Sequence, residues 1–256
     1  MILFDQIIFG PVISRRLGLS LGVNLLPIDA KICSFNCIYC ECGFNTTMRE
    51  WPMPKRPQVR ECLEAKLRAM TLEGRLPDVI TFAGNGEPTL HPDFEAIIDD
   101  TLELRDRFCP DAKVSVLTNS TRIHKVSVYR ALRKVENPIL KLDSAFDETL
   151  RILDQPVGRL FSVAWLTEQM KRFEGDFIIQ TMFLRGEHEG KAFDNTTDVE
   201  VEAWLDVLDQ VKPRQVMIYS LDREAPVKSL QKIPVIELNR IAEKARVRGF
   251  NVSVAG

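Results

Sequence analysis

The chain has 256 residues, 45% of them hydrophobic and 27% charged, with 34 basic against 36 acidic side chains and a net charge of −2. That balance describes a globular chain with ample core and argues against a surface dominated by polyanion binding. No apolar run approaches 18 residues, and the first residues, Met1-Ile-Leu-Phe-Asp5, carry no basic flank. Neither a membrane span nor a signal peptide is expected.

Strand-like and helical runs alternate along the sequence. Residues 21–26 read as a strand, and a cysteine-rich loop follows at once. Pro52, Pro54 and Pro57 mark an irregular approach to a helix over 59–73, where Val59, Cys62, Leu63, Leu67 and Met70 recur at helical spacing. Cys62 is therefore expected on its inner face, with Gly74 as the stop. Further strands are expected at 78–83, 113–117, 138–143, 177–183 and 214–219, and a short closing one at 251–255. Helices are expected from about Pro92, then over about 125–134, 199–211 and 235–248. A broken helical region ends around 161–173, and 186–197 reads as a polar loop. Near-continuous apolar strands alternating with helices imply a parallel sheet. The pattern alone fits either a barrel or a doubly wound sheet. No linker divides the chain, so one domain over 1–256 is expected.

Cys33, Cys37 and Cys40 stand at C-x3-C-x2-C; the other cysteines are Cys42, Cys62 and Cys109. Thiolates converging from one loop suit zinc or an iron–sulfur cluster. Zinc would need a fourth ligand, for which Cys42 is the candidate, since no second C-x2-C pair exists and His91, His124 and His188 are scattered. Three ligands on a four-iron cluster would leave one iron open to a reactant. Clustered thiols without a secretory signal point to a reducing compartment, the cytoplasm. Other polar residues fall after successive strands: Glu87; Thr118, Asn119 and Ser120; Asp143 and Ser144; Asp222 and Arg223. In a parallel barrel that end carries the chemistry.

The cysteine motif, with Tyr39 just before its last cysteine, resembles the signature of the radical S-adenosylmethionine (SAM) superfamily. The segments Phe9-Gly-Pro-Val-Ile-Ser-Arg-Arg-Leu-Gly-Leu-Ser-Leu-Gly22 and Gly84-Asn-Gly-Glu-Pro-Thr-Leu90 are similar to iron–sulfur oxidoreductases related to the wybutosine-synthesis enzyme. The resemblance implies a partial (β/α)6 TIM-like barrel: an amino-terminal segment over 1–20, six strand–helix units over 21–223, and a closing helix and strand over 224–256. It implies a 4Fe–4S cluster on Cys33, Cys37 and Cys40, and SAM beside it. Gly84, Asn85, Gly86 and Glu87 would hold the methionyl amino group, although glycines there also suit a tight turn. Asn119 would approach the ribose or carboxylate, or act as a cap. Lys141, Asp143 and Ser144 would lie at the cofactor, with a Lys141–Asp143 ion pair as the competing reading. Tyr39 would lie against the adenine, chiefly through its backbone.

Arg15-Arg16 and Asp222-Arg223 would flank the barrel opening. Arg16 and Arg223 there would bind an anionic substrate or tie the barrel edges by ion pairs. The implied reaction is reductive cleavage of SAM to a 5′-deoxyadenosyl radical, with a flavodoxin- or ferredoxin-like electron donor. The wybutosine-like resemblance implies a macromolecular substrate, a transfer RNA, against which the balanced charge counts, and the sequence itself identifies no substrate. A protein or peptide substrate is the competing enzyme reading, and a non-catalytic zinc or iron–sulfur binding module is the competing class.

Overall fold

The computed structural model describes residues 2–14, 17–47, 52–158 and 161–255. The first two strands, β1 (Ile8–Ser14) and β2 (Gly18–Val23), form an antiparallel pair with an irregularity between Phe9 and Val12. There follow α1 (Arg56–Leu72), β3 (Val79–Phe82), α2 (Phe94–Phe108), β4 (Lys113–Thr118), α3 (Val126–Leu132), β5 (Asn137–Lys141), α4 (Asp147–Leu153) and α5 (Val163–Lys171). The chain continues through β6 (Ile178–Met182), β7 (Leu184–His188), β8 (Lys191–Asp194), α6 (Asp198–Val211), β9 (Gln215–Tyr219), β10 (Gln231–Lys232), α7 (Val235–Val247) and β11 (Val252–Ala255).

The main sheet runs β1-β2-β3-β4-β5-β6-β9-β11 and is parallel from β2 onward. It curls into a half-barrel, the partial TIM-like form, as one mixed α/β domain. Each of the parallel strands β2, β3, β4, β5, β6 and β9 leads on to a helix, and β11 closes the row. Outside the sheet, helices bury an apolar layer. On α1 the stripe Val59, Leu63, Leu67 and Met70 faces in, while Gly74, at φ +64°, ends the helix and Arg75 N–H returns to Met70 O at 3.0 Å. Phe82 meets Phe94 edge to face across the layer, and Trp204 on α6 donates to Thr181 Oγ1 at 3.0 Å. Inside the curl a smaller cluster of Ile139, Ile178 and Met217 fills the floor.

Three local readings change. Cys62 is exposed, because it lies one residue off the inward stripe that Val59 and Leu63 define. The region 186–197 is no loop: β7 and β8 form a hairpin turned by Glu189 and Gly190, both at positive φ, and β10 adds a third strand. The first parallel strand ends at Val23 rather than residue 26, because the Asn24 side chain accepts from Leu26 N–H and starts a turn. Among the described residues no helix is long and apolar enough to cross a membrane.

Candidate active site

The loop after β2 carries the three cysteines to the carboxyl end of the half-barrel, and its own side chains fold it there. Asn45 Nδ2 donates to the carbonyls of Cys33 and Phe35, both at 3.0 Å, while its N–H reaches Asn36 Oδ1 at 2.7 Å. Backbone bonds from Asn36 and Ile38 to the end of α4 fix the loop's far side. Phe35, Ile38 and Tyr39 then bury against Leu153, Met182, Leu184 and Phe193.

The glycine-rich segment after β3 is shaped by this loop. Gly86 pairs with Ile32, and a Cβ on it would lie 1.7 Å from the Ile32 carbonyl oxygen. A Cβ on Gly84 would lie 2.5 Å from Asn24 Oδ1. Both have positive φ, so close approach and backbone conformation each require glycine. Asn85 points away from the opening, bonded to both polar groups of the Phe4 backbone and to Pro27 O. Glu87 is buried. Its Oε1 accepts from Thr89 N–H and from the hydroxyls of Thr89 and Thr118, and its Oε2 accepts from Asn119 N–H at 2.7 Å. Burial raises its pKa, and those bonds work against the rise.

Asn119 has a fixed orientation. Its Oδ1 accepts from Thr121 N–H at 3.1 Å, so its Nδ2 faces Ser34 Oγ at 2.9 Å and Cys33 Sγ at 3.4 Å. Phe35 N–H gives the same sulfur a second donor at 3.4 Å. Opposite, Cys37 Sγ contacts Asp154 Oδ1 at 3.3 Å, and that oxygen also accepts from Tyr39 OH at 3.0 Å. Tyr39 OH further bonds Asp143, and Lys141 Nζ lies 3.2 Å from Asp143 and 4.6 Å from the Tyr39 ring centre. Lys141 and Asp143 are therefore an ion pair. Burial works against the Lys141 charge, yet Asp143, Cys37 and Asp154 hold its pKa well above the usual lysine range. Burial, with the neighbouring Asp143, pushes Asp154 up to about 8, and its Oδ2 is buried without a hydrogen-bond partner.

A cavity of about 330 Å³ opens over this floor. Cys37, Cys40, Tyr39, Gly84, Gly86, Lys141 and Arg223 line it. Cys33, Glu87, Asn119 and Asp143 are not among its lining residues. Ser144 faces the other way, donating to Glu200 on α6 at 2.7 Å. Arg223 pairs with Glu41 at 2.7 Å across the rim, and Arg16 lies outside the described residues. The sequence reading missed Glu41, Gln180, Met182 and Tyr219 in the wall, and Asp154 beneath it. Gln180, a polar residue inside the apolar run 177–183, was the available signal.

Burial pushes the Cys33 thiol up to about 12 and raises Cys37 well above the ordinary thiol value, so these two free thiols hold their protons until a metal displaces them. The hydrogen bond between Cys40 and Cys42 lowers the Cys40 pKa, to about 5, and raises that of Cys42. Among the described residues no three His, Cys, Asp or Glu side chains converge on a single-ion point. Three thiols on one loop, two of them lining the cavity and the third already meeting two N–H donors, are a donor set that fits an iron–sulfur cluster.

The Radical SAM superfamily model matches residues 28–218. A Brachyspira hyodysenteriae protein named GTPase Obg is 29% identical over 219 residues, 84% of this chain and 30% of that one. A UPF0026 protein of Helicobacter pylori is 28% identical over 227 residues, covering 87% and 68%. The Streptococcus suis SuiB structure with bound S-adenosylmethionine superposes with a TM-score of 0.64 at 18% identity, over 89% of this chain and 49% of that one. TYW1 with a lysine–pyruvate adduct gives 0.63 at 15%, over 89% and 73%. The chain thus spans about a third of the first relative and half of SuiB, and these distant structures share its fold. A match over most of the chain, on this half-barrel and cysteine loop, makes it a member of the radical SAM superfamily.

Proposed function

We propose that Cys33, Cys37 and Cys40 hold a 4Fe–4S cluster with one open iron, and that the cavity beside them receives S-adenosylmethionine. The observation that carries this reading is the cavity itself: Cys37 and Cys40 line it together with Gly84, Gly86, Lys141, Gln180 and Tyr219. When bound, such a cluster would supply the electron for reductive cleavage of S-adenosylmethionine. The chain's own residues bind and orient. Gly84 and Gly86 leave the wall free of side chains where a ligand must approach closely. Glu87 anchors the ends of β3 and β4, and with them Asn119, beside Cys33. Asp143 and Lys141 hold the Tyr39 ring at the cavity edge.

A groove of about 260 Å³ along β1 and β2 shares Ala83, Leu117 and Arg223 with the cavity. That side opening supports a reacting group carried on a macromolecule. SuiB, which shares the fold, has been solved with its precursor peptide. A peptide or a transfer RNA is the substrate class proposed, and a flavodoxin- or ferredoxin-like protein the electron donor. Anaerobic reconstitution tests the reading: about four irons per chain, and 5′-deoxyadenosine from S-adenosylmethionine on reduction, are expected. Stoichiometric zinc bound by the anaerobically purified chain, with no capacity for iron, would overturn it.

A further inference from the structure

Lys31, two residues ahead of Cys33, is 2% exposed. Its Nζ donates to the Gly43 carbonyl at 2.6 Å. The turn from Cys40 to Gly43 closes on itself, Gly43 N–H to Cys40 O at 2.8 Å, and so wraps the ammonium. Two more bonds hold the lysine's main chain in place: Thr46 N–H to Lys31 O at 3.0 Å, and Lys31 N–H to Thr46 Oγ1 at 3.3 Å. That carbonyl and the Cys40 sulfur are the only partners of its side chain among the described residues, and neither is a carboxylate. Among the described residues no Asp or Glu forms an ion pair with Lys31, whereas the other buried lysine of the site, Lys141, has both Asp143 and Asp154. Buried charges are ordinarily paired or set against a metal centre, because desolvation without compensation costs several kcal/mol. The groups that share the Lys31 field are thiols: Cys33, Cys40 and Cys42.

We propose that Lys31 is the built-in counter-ion of the cluster held by Cys33, Cys37 and Cys40. This rests on the cluster reading above. Three thiolates overbalance the positive charge of a four-iron core, and reduction adds a further negative charge. A fixed ammonium behind the loop stabilises the loaded state, and the reduced state most. It therefore raises the reduction potential, which charge and hydrogen bonding around the sulfurs set. Lys31 is a positioning and tuning residue, acting through the ligand loop rather than on SAM.

The test uses the full chain, reconstituted anaerobically with ferrous iron and sulfide, as wild type, Lys31→Met and Lys31→Arg. Iron per chain, the midpoint potential by EPR-monitored titration, and urea unfolding of the iron-free protein are read. Loaded Lys31→Met should show a reduced-to-oxidised ratio roughly tenfold lower at a fixed ambient potential, about 59 mV for one electron. Lys31→Arg should stay near wild type. An iron-free Lys31→Met protein should be no less stable than wild type, since an apolar isostere replaces a buried ammonium that no carboxylate pairs.

Equal potentials in loaded Lys31→Met and wild type overturn the proposal. If Lys31→Met takes up no iron, the iron-free proteins decide. Stability at or above wild type shows a residue needed for loading and supports the counter-ion; lower stability shows a structural tie and overturns it. A wild-type chain that binds no four-iron cluster would instead sink the parent reading.

Discussion

Between the helices and the outer face of the sheet, burial is almost wholly apolar: Phe82, Phe94, Phe177, Leu63 and Leu67 close against one another. At the mouth of the half-barrel an apolar cluster around Phe35 and Ile38 is joined by buried polar side chains: Asn24, Lys31, Asn85, Glu87, Asn119, Asp143 and Asp154. The outer layer is held by volume and area, which many sequences satisfy. The mouth is held by directional bonds, each with a named partner, so its members are not interchangeable. The first region keeps the chain folded. The second spends buried polarity on shaping a cavity, and a changed residue there should alter binding more than stability.

The largest effects test that separation directly. Phe82→Ala, in the outer layer, should cost about 3–5 kcal/mol in urea unfolding. Cys37→Ala, in the mouth, should cost far less and yet abolish iron uptake. Both variants are compared by the same unfolding curve and the same iron assay. A stable Phe82→Ala protein, or a Cys37→Ala protein that keeps its iron, would break the contrast.

A middle-sized effect comes from Ser144 and Glu200, which sit behind the mouth on the helix side. Glu200 accepts from Ser144 Oγ at 2.7 Å and from Thr149 Oγ1 at 2.5 Å, and burial raises its pKa above the ordinary glutamate value. Ser144→Ala should cost about 1 kcal/mol and leave SAM binding unchanged. A carboxyl with a raised folded pKa binds a proton more readily in the folded chain. Its favourable contribution is therefore full below the unfolded pKa, about 4.3, and is lost as pH rises through the folded value. Glu200→Gln should remove that decline, so the stability gap between variant and wild type should change with pH across this window. A gap constant with pH would show that Glu200 titrates normally. Weakened SAM binding in Ser144→Ala would return that residue to the cofactor site.

The same division explains what the sequence disclosed. The outer layer writes itself as periodicity, so the parallel strands and most helices were legible. Cys62 misled because helical spacing from Val59 cannot separate the centre of a stripe from its edge. The hairpin over 184–194 was hidden because its inward anchors, Leu184 and Phe193, stand among charged neighbours. At the mouth, the cysteine spacing and the glycines marked the place. The bonding partners of Asn85 and Ser144 lie 81 and 56 residues away in sequence, and no local pattern announces them. Lys31 was equally silent, since a lysine before a loop ordinarily reads as solvated.

The smallest expected effect is at the rim. Arg223 and Glu41 join the segment after β9 to the cysteine loop, and their side chains are 56% and 45% exposed. A pair so open to water and salt is worth about 0–1 kcal/mol, so it can part and re-form without threatening the fold. Arg223→Ala should leave the unfolding midpoint nearly unchanged, retain the full iron content, and alter SAM affinity by less than about threefold, since 1.4 kcal/mol corresponds to tenfold. The wild-type pair should also weaken as ionic strength rises, which screens exposed charges over about 8–10 Å. If the pair acts as a latch over the cavity, Glu41→Ala and Arg223→Ala should both speed release of bound SAM, and high salt should do the same to wild type. A change in Arg223→Ala alone would show that the guanidinium contacts the ligand directly. Unchanged release in both variants would make the pair a surface tie and leave the groove along β1 and β2 as the route in.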